Sequence, residues 1–318
     1  MKVLVTGGAG YIGSIVGALL IKAGHDVTVL DDVSTGHAEN VPDGATFVQG
    51  RIQDAANVLD NSFDGVLHFA AKSLVGESVA KPDLYWRNNV AGTLDLLDAL
   101  RKHGIKRIVF SSTAATYGAP ETMPITETTP PQPTNPYGAS KLAVDQMLTG
   151  EAAAYDLAAV SLRYFNVAGA FERYGEKHDP ETHLIPNLLE VAAGTRESAQ
   201  LFGTDYPTPD GTAVRDYLHV VDLADAHLRA LEAAKPGQHL ICNLGTGTGY
   251  SVREVLDAVR KVTGHPIPVV ESPRRAGDPP SLVASNERAR EVLGWVPERD
   301  LDAMVADAWA FRQKGSTA

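Results

Sequence analysis

The chain of 318 residues has one cysteine, Cys242, so no internal disulfide can form. That thiol lies in an apolar run, residues 239–244, that reads as a buried strand, with Cys242 a small core hydrophobe. No apolar stretch approaches the ~20 residues that a membrane-spanning helix needs. Positive charge is also in deficit. The 28 Lys and Arg stand against 39 Asp and Glu, and the net charge of −11 argues against nucleic acid or an anionic membrane as the main partner. An anionic small substrate would therefore need basic residues gathered locally. Repeats, low-complexity tracts and a disordered linker are missing, and the length exceeds one ~150-residue unit, so one large domain or two tightly joined lobes are expected. The chain opens on a strand-like run with no charged-then-apolar leader, which makes the cytoplasm the expected location.

That first run, Lys2–Thr6, leads into glycines at 7, 10 and 13 and then a helical pattern of Ile15, Val16, Leu19 and Leu20. Strand, glycine turn and helix in this order suit a dinucleotide pyrophosphate. Gly7 permits the tight turn, Gly10 the approach of backbone to phosphate, and Gly13 the packing of helix on strand. The N–H groups at the helix start, Tyr11 and Ile12 among them, face the phosphates. A second strand, residues 26–30, ends at Asp31 and Asp32, about twenty residues on. A carboxylate there accepts from both ribose hydroxyls and repels a 2′-phosphate, favouring NAD over NADP. For Asp32 a turn or N-cap role is an equal alternative.

Further strands read at 45–49, 65–71, 106–110 and 157–163, with a long helix over 83–102. His68, inside an apolar run, is better read as a satisfied core histidine than as a catalyst. The alternation predicts an α/β fold: a doubly wound parallel sheet of Rossmann type with a smaller mixed α/β substrate-binding lobe. The expected division is 1–165 for dinucleotide binding, with segments near 217–245 returning to it, and 166–318 for substrate. Ligands bind beyond the C-terminal strand ends of such sheets. Gly7, Asp31, Phe69 to Ala71, Ser111 to Thr113 and the 163–166 stretch all fall at such ends. The same crevice can receive Tyr137 and Lys141, which a helix after Asn135-Pro136 places one turn apart on one face. A phenol near ~10 serves as a base at neutral pH only if cations depress its pKa, and Lys141 is one candidate.

Together the Gly7/Gly10/Gly13 turn, Asp31, Ser111 to Thr113 and Tyr137-x-x-x-Lys141 resemble the extended short-chain dehydrogenase/reductase family. Residues 162–166 and 202–219, with His68-Phe-Ala-Ala and the Arg275-x-Gly-Asp278 stretch, are similar to its UDP-glucose 4-epimerase group over essentially the whole chain. The resemblance implies tightly held NAD and oxidation of a UDP-hexose at C4. Tyr137 takes the hydroxyl proton, Thr113 bonds the same oxygen, and Lys141 holds the nicotinamide ribose. The 4-keto sugar then turns over before reduction on its other face. It also implies cofactor contacts from Ser34, Thr35 and Gly36, from Arg51 and Ile52, and from Ser73, Asn88, Tyr164 and Phe165. Substrate contacts fall to Asn166, His183, Leu184 and Gln200, to Phe202 beside the uracil, and to Arg215, Arg275 and Asp278. A homodimer through helices around 84–102 and 137–154 is implied, with Leu142 and Met147 as exposed apolar candidates.

Four departures stand out. Arg51 replaces a frequent Asp beside adenine, His183 a frequent Asn, and Ser73 a Lys. Leu282 occupies a pocket gate where Tyr restricts the group to glucose and galactose forms; Leu is intermediate, which predicts some turnover of UDP-N-acetylglucosamine. A UDP-N-acetylglucosamine or UDP-glucuronate 4-epimerase and a nucleotide-sensing regulator are the alternatives. A 4,6-dehydratase is disfavoured because Ala114 and Ala115, not Asp-Glu, follow Thr113.

Overall fold

The computed structural model describes residues 1–178, 180–275 and 277–315. Positions 179, 276 and 316–318 of the expected second lobe lie outside the described residues. The strands in chain order are β1 (Lys2–Thr6), β2 (Asp26–Asp31), β3 (Thr46–Gln49), β4 (Gly65–His68), β5 (Arg107–Thr113), β6 (Ala158–Tyr164), β7 (Asn166–Ala168), β8 (Ala199–Phe202), β9 (Val214–Arg215), β10 (Tyr217–His219), β11 (His239–Leu244), β12 (Tyr250–Ser251), β13 (Val269–Ser272) and β14 (Ser281–Leu282).

Seven of them form one sheet in the order β11-β6-β5-β4-β1-β2-β3, and every pairing in it is parallel. Near-continuous apolar runs such as Val3, Leu4 and Val5 are 0% exposed, because helices cover both faces. On one face the helices Tyr11–Lys22 and Val220–Ala233 pack with Val3, Val29, Val109 and Val160. On the other, the helices Gly92–His103 and Pro136–Tyr155 pack with Leu4, Val66, Ile108 and Ala159. A third core, around Leu188, Val255 and Met304, belongs to the smaller lobe, where β8 pairs β13 and β9 lies between β12 and β14.

Several sequence expectations change. β5 runs on from the expected 106–110 through Ser111 to Thr113, which form its C-terminal end. The fourth strand stops at His68, where Phe69 N and Ala70 N both turn to the Thr6 carbonyl. The expected helix over 83–102 is α-helical at Pro82–Tyr85 and Gly92–His103 with a π-helical turn, Trp86–Ala91, between them. Asp216 separates β9 from β10, which join different sheets. Asp216 is fully buried and its carboxylate accepts from Thr246 N, Thr246 Oγ1, Gly247 N and Ala284 N at 2.7–3.1 Å. Leu142 and Met147 are half-buried, and Met147 packs on the core. Large apolar side chains that do stand exposed on or beside these helices include Val75, Val79, Trp86, Leu94 and Tyr155.

Candidate functional site

A cavity of about 1370 Å³ runs along the C-terminal ends of the main-sheet strands and into the smaller lobe. Its floor is the glycine turn. Gly7 has φ +74°, and a Cβ there would meet Ala70 N at 2.5 Å; a Cβ on Gly13 would meet the Gly7 carbonyl at 2.3 Å. Only glycine fits either position. Gly10 caps the helix Tyr11–Lys22 with no side-chain bond, and no acidic residue occupies the first turn. The helix end is thus open to an anion. The Tyr11 hydroxyl donates to the Gly169 carbonyl at 2.6 Å.

Asp31 closes the next strand and is 7% exposed. Its Oδ2 accepts from Ala9 N at 2.9 Å and its Oδ1 from Val33 N at 2.8 Å. Burial raises its pKa, and the two amides oppose that rise. Each oxygen keeps a lone pair for a ribose hydroxyl. Asp32 is exposed and accepts from Ser34 N at 2.9 Å, the turn role weighed for it above. These features are a cradle of the shape and charge a dinucleotide requires.

His68 is 1% exposed and bonded to Thr6 Oγ1 at 2.7 Å and Thr93 Oγ1 at 2.9 Å. Burial drives its pKa to about 3, so it is a neutral core residue. Cys242 is fully buried, its thiol pushed up to about 12.

The helix Pro136–Tyr155 begins at Asn135, whose side chain accepts from Gly138 N at 2.9 Å, with Pro136 at its first position. Gly138 must be small, since a Cβ would meet the Ala115 carbonyl at 2.4 Å. This packing presents Tyr137, Lys141 and Asp145 at i, i+4 and i+8 as one stripe facing the sheet. Lys141 is 3% exposed. Its Nζ donates to the Ser111 carbonyl at 2.7 Å and lies 4.7 Å from the Phe110 ring centre. Burial lowers its pKa to about 7, with Asp145 acting against the fall. The Tyr137 phenol is hydrogen-bonded to Thr113, which lowers its pKa, but burial is the larger effect and the net shift is upward.

Asp145 forms a buried ion pair with Arg163 of β6, Nη2 to Oδ2 at 2.8 Å. Arg163 continues to the Tyr117 hydroxyl at 3.0 Å, and Tyr117 to Asn243 at 2.7 Å. The pair thus anchors the helix Pro136–Tyr155 to the sheet. Sequence reasoning missed it, although Asp145 stands four residues beyond Lys141. Ser111 Oγ bonds the Tyr164 hydroxyl, joining two more cavity residues.

On the far side Arg275 stacks 4.2 Å over the Phe202 ring, and Arg215 pairs with Asp278 while donating to the Val214 carbonyl at 2.7 Å. β14 is held parallel to β9, which sets Leu282 beside Arg215. His183 is bonded to Glu176, which raises its pKa against the effect of burial. Arg51 is exposed, and its backbone N donates to Asp54 at 2.9 Å.

Every residue named above for cofactor or substrate contact lines this cavity, from Ile12, Thr35, Gly36 and Ile52 to Ser73, Asn88, Phe165, Asn166, Leu184 and Gln200. Missed lining residues include Lys72, Asn187, Arg196 and Tyr217. Lys72 Nζ reaches toward Ser34 Oγ at 3.5 Å, so an ammonium stands one residue from the position where Ser73 lacks one. Asn89, also missed, is 2% exposed and ties Lys72 to Ser140 at 2.8–3.0 Å, shaping the wall from the π-helical turn.

The chain is 58% identical to a UDP-glucose 4-epimerase of Corynebacterium glutamicum over 314 residues, covering 98% of this chain and 95% of that one. It is 60% identical to a UDP-glucose 4-epimerase of Streptomyces lividans over 315 residues, with the same coverage. Its fold superposes with a TM-score of 0.93 on the crystal structure of UDP-glucose 4-epimerase from Bifidobacterium longum in complex with NAD+ and UDP, at 41% identity and 99% coverage of both chains. A model of the NAD dependent epimerase/dehydratase family matches residues 3–245, and the chain belongs to that family.

Proposed function

We propose that the protein is an NAD-dependent UDP-hexose 4-epimerase that interconverts UDP-galactose and UDP-glucose through a transient 4-keto sugar. The observation that carries this reading is one cavity holding the glycine cradle and Asp31 at one end, Tyr137 and Thr113 in the middle, and Arg215 and Arg275 at the other. That span suits a dinucleotide and a nucleotide sugar lying end to end.

The dinucleotide, when bound, supplies the hydride acceptor and donor and a positive charge beside the phenol. Gly7, Gly10 and Gly13 would hold its pyrophosphate with the open N–H groups of Tyr11 and Ile12, and Asp31 its adenosine ribose. Lys141, already aimed at the Ser111 carbonyl, would bond the second ribose. Tyr137 takes the proton from the C4 hydroxyl as the C4–H bond breaks, and Thr113 holds the same oxygen. Arg215 and Arg275 fork onto the substrate diphosphate, and Phe202 faces the uracil, so the hexose can turn over while its anchor stays. Reduction from the other face returns the proton through Tyr137 and leaves no net redox change.

A homodimer fits the exposed Val79, Trp86 and Leu94 on the outer helices. No helix among the described residues is long and apolar enough to cross a membrane, and the cytoplasm fits the reaction. The decisive experiment is incubation with UDP-galactose without added NAD, followed by denaturation to release and measure cofactor. UDP-glucose should accumulate to equilibrium with about one dinucleotide per chain. No conversion even with NAD supplied would refute the proposal. Light scattering at micromolar concentration tests the dimer.

A further inference from the structure

Between β7 and the helix Leu184–Ala192, four residues within eight positions bring their side chains together: Glu176, His178, Glu181 and His183. Each offers one ligand atom, and these atoms all lie within 4.8 Å of one another. Glu176 is the inner member, its side chain 7% exposed. Among the described residues its charged partners are two imidazoles, His178 at 2.9 Å and His183 closer still. Neither Glu176 nor Glu181 has a lysine or arginine partner among the described residues; the nearby Lys177 pairs with Glu39 at 3.8 Å.

Two carboxylates, one of them buried, thus face two imidazoles with no lysine or arginine partner among the described residues. Such burial is costly unless a cation is present. The polar atoms point the same way. Glu181 Oε1 accepts from Thr182 N at 2.7 Å and His183 N at 2.8 Å, which orients the carboxylate and leaves Oε2 free. His178 Nδ1 is buried, and although it lies near Glu176 it has no well-directed hydrogen bond. His183 sits at the N-cap of its helix without making a capping bond, so its ring is committed to the cluster.

We propose that Glu176, His178, Glu181 and His183 form a binding site for one divalent transition-metal ion, with zinc the best match. Two nitrogen and two oxygen donors suit zinc and exclude the all-oxygen shells of calcium and magnesium. Bonds of about 2.1 Å set tetrahedral donors roughly 3.4 Å apart. The cluster reaches that geometry by small movements, the Glu176 contacts opening and the longer pairs closing. The ion would cross-link the irregular connection from Glu176 to His183 to itself. His178, Glu181 and His183 line the cavity, so the metal would fix the wall on the sugar side. This site is separate from the redox chemistry proposed above and does not depend on it.

The test uses tag-free, full-length protein with its dinucleotide, freed of metal by chelation and dialysis. Zinc is titrated by calorimetry and bound metal counted by mass spectrometry; cobalt is added in parallel for its visible absorption. We expect one zinc per chain, a cobalt spectrum of a low-coordinate site, and a melting temperature that rises on adding zinc. His178→Ala and the near-isosteric Glu181→Gln should each weaken binding by about 100-fold or more and abolish the melting shift. Circular dichroism and retained dinucleotide report that each variant is folded, and Glu181→Gln keeps the test valid if His178→Ala unfolds. Substoichiometric zinc on the parent protein, or equal binding by parent and folded variants, would overturn the site and leave a hydrogen-bonded His–Glu cluster.

Discussion

The Lys141 ammonium donates to the Ser111 carbonyl at 2.7 Å, while the Tyr137 phenol one turn earlier is bonded to Thr113. The two groups of the Tyr-x-x-x-Lys motif therefore have separate partners on β5. Tyr137→Phe should remove the proton acceptor and its bond to Thr113 while leaving the Lys141–Ser111 contact in place. Turnover of UDP-galactose is expected to fall by about 10²–10⁴-fold with NAD content unchanged, read by product chromatography and by cofactor released on denaturation. Turnover within a factor of a few of the parent would contradict the assigned role.

Burial sets Lys141 near 7, against ~10.4 for the free side chain. Between these values the unfolded chain binds more protons than the folded one, so this group adds stability as pH rises through the window and withdraws it as pH falls. Lys141→Met removes the titration. In protein stripped of dinucleotide, the variant should gain on the parent at about pH 6 and lose that gain by about pH 9 to 10. Thermal melts of both proteins across the range check this; a pH-independent difference would show that Lys141 stays charged in the fold.

Asp145 and Arg163 are 3% and 4% exposed and tie the helix Pro136–Tyr155 to β6. Asp145→Ala leaves a buried guanidinium with only Tyr117 for company, which should cost about 3–5 kcal/mol of stability. Urea unfolding measures the loss, and a change under about 1 kcal/mol would mean that the pair is poorly coupled to the fold.

Arg275 stands over the Phe202 ring and forms no ion pair with an acidic side chain among the described residues. Arg275→Ala should raise the KM for UDP-galactose by about 10- to 100-fold, the equivalent of one lost charge-assisted bond, and leave kcat near the parent value. Steady-state kinetics decide, and an effect on kcat alone would place Arg275 in the chemical step.

Leu282 lies half-buried at the cavity wall beside Arg215. The parent protein should convert some UDP-N-acetylglucosamine. Leu282→Tyr should abolish that activity and spare UDP-galactose, because the added ring fills space that only the N-acetyl group requires. Comparing both substrates by chromatography is sufficient. An equal effect on both would remove Leu282 from the specificity wall.

The parallel sheet was legible because its strands are short apolar runs set off by glycines and helical periodicity, as in Lys2–Thr6 and the turn at Gly7. The cavity residues were legible where motif order placed them at strand ends. What escaped was long-range. Asp216 is polar within an apparent strand, and its reason is three amide donors 30 to 68 residues away. The Asp145–Arg163 pair spans 18 residues and leaves no periodic trace. The π-helical turn at Trp86–Ala91 adds a residue to one turn, which the helical spacing of apolar residues over 83–102 does not reveal. The position of the Lys141 charge depended on side-chain direction, which spacing alone does not determine.

The seventh strand of the main sheet, β11, comes from residues 239–244 and pairs with β6 along its whole length, and the helix Val220–Ala233 seals one face. The chain thus leaves the main sheet, builds the smaller lobe, and comes back to finish what it began. Cutting after residue 165 would not release a working half-protein. The fragment would carry β6 as a bare edge, Val160 and Leu162 newly wetted, a template for aggregation. The two ends of the cavity are therefore inherited as one cooperative unit, and neither can be transplanted by simple truncation.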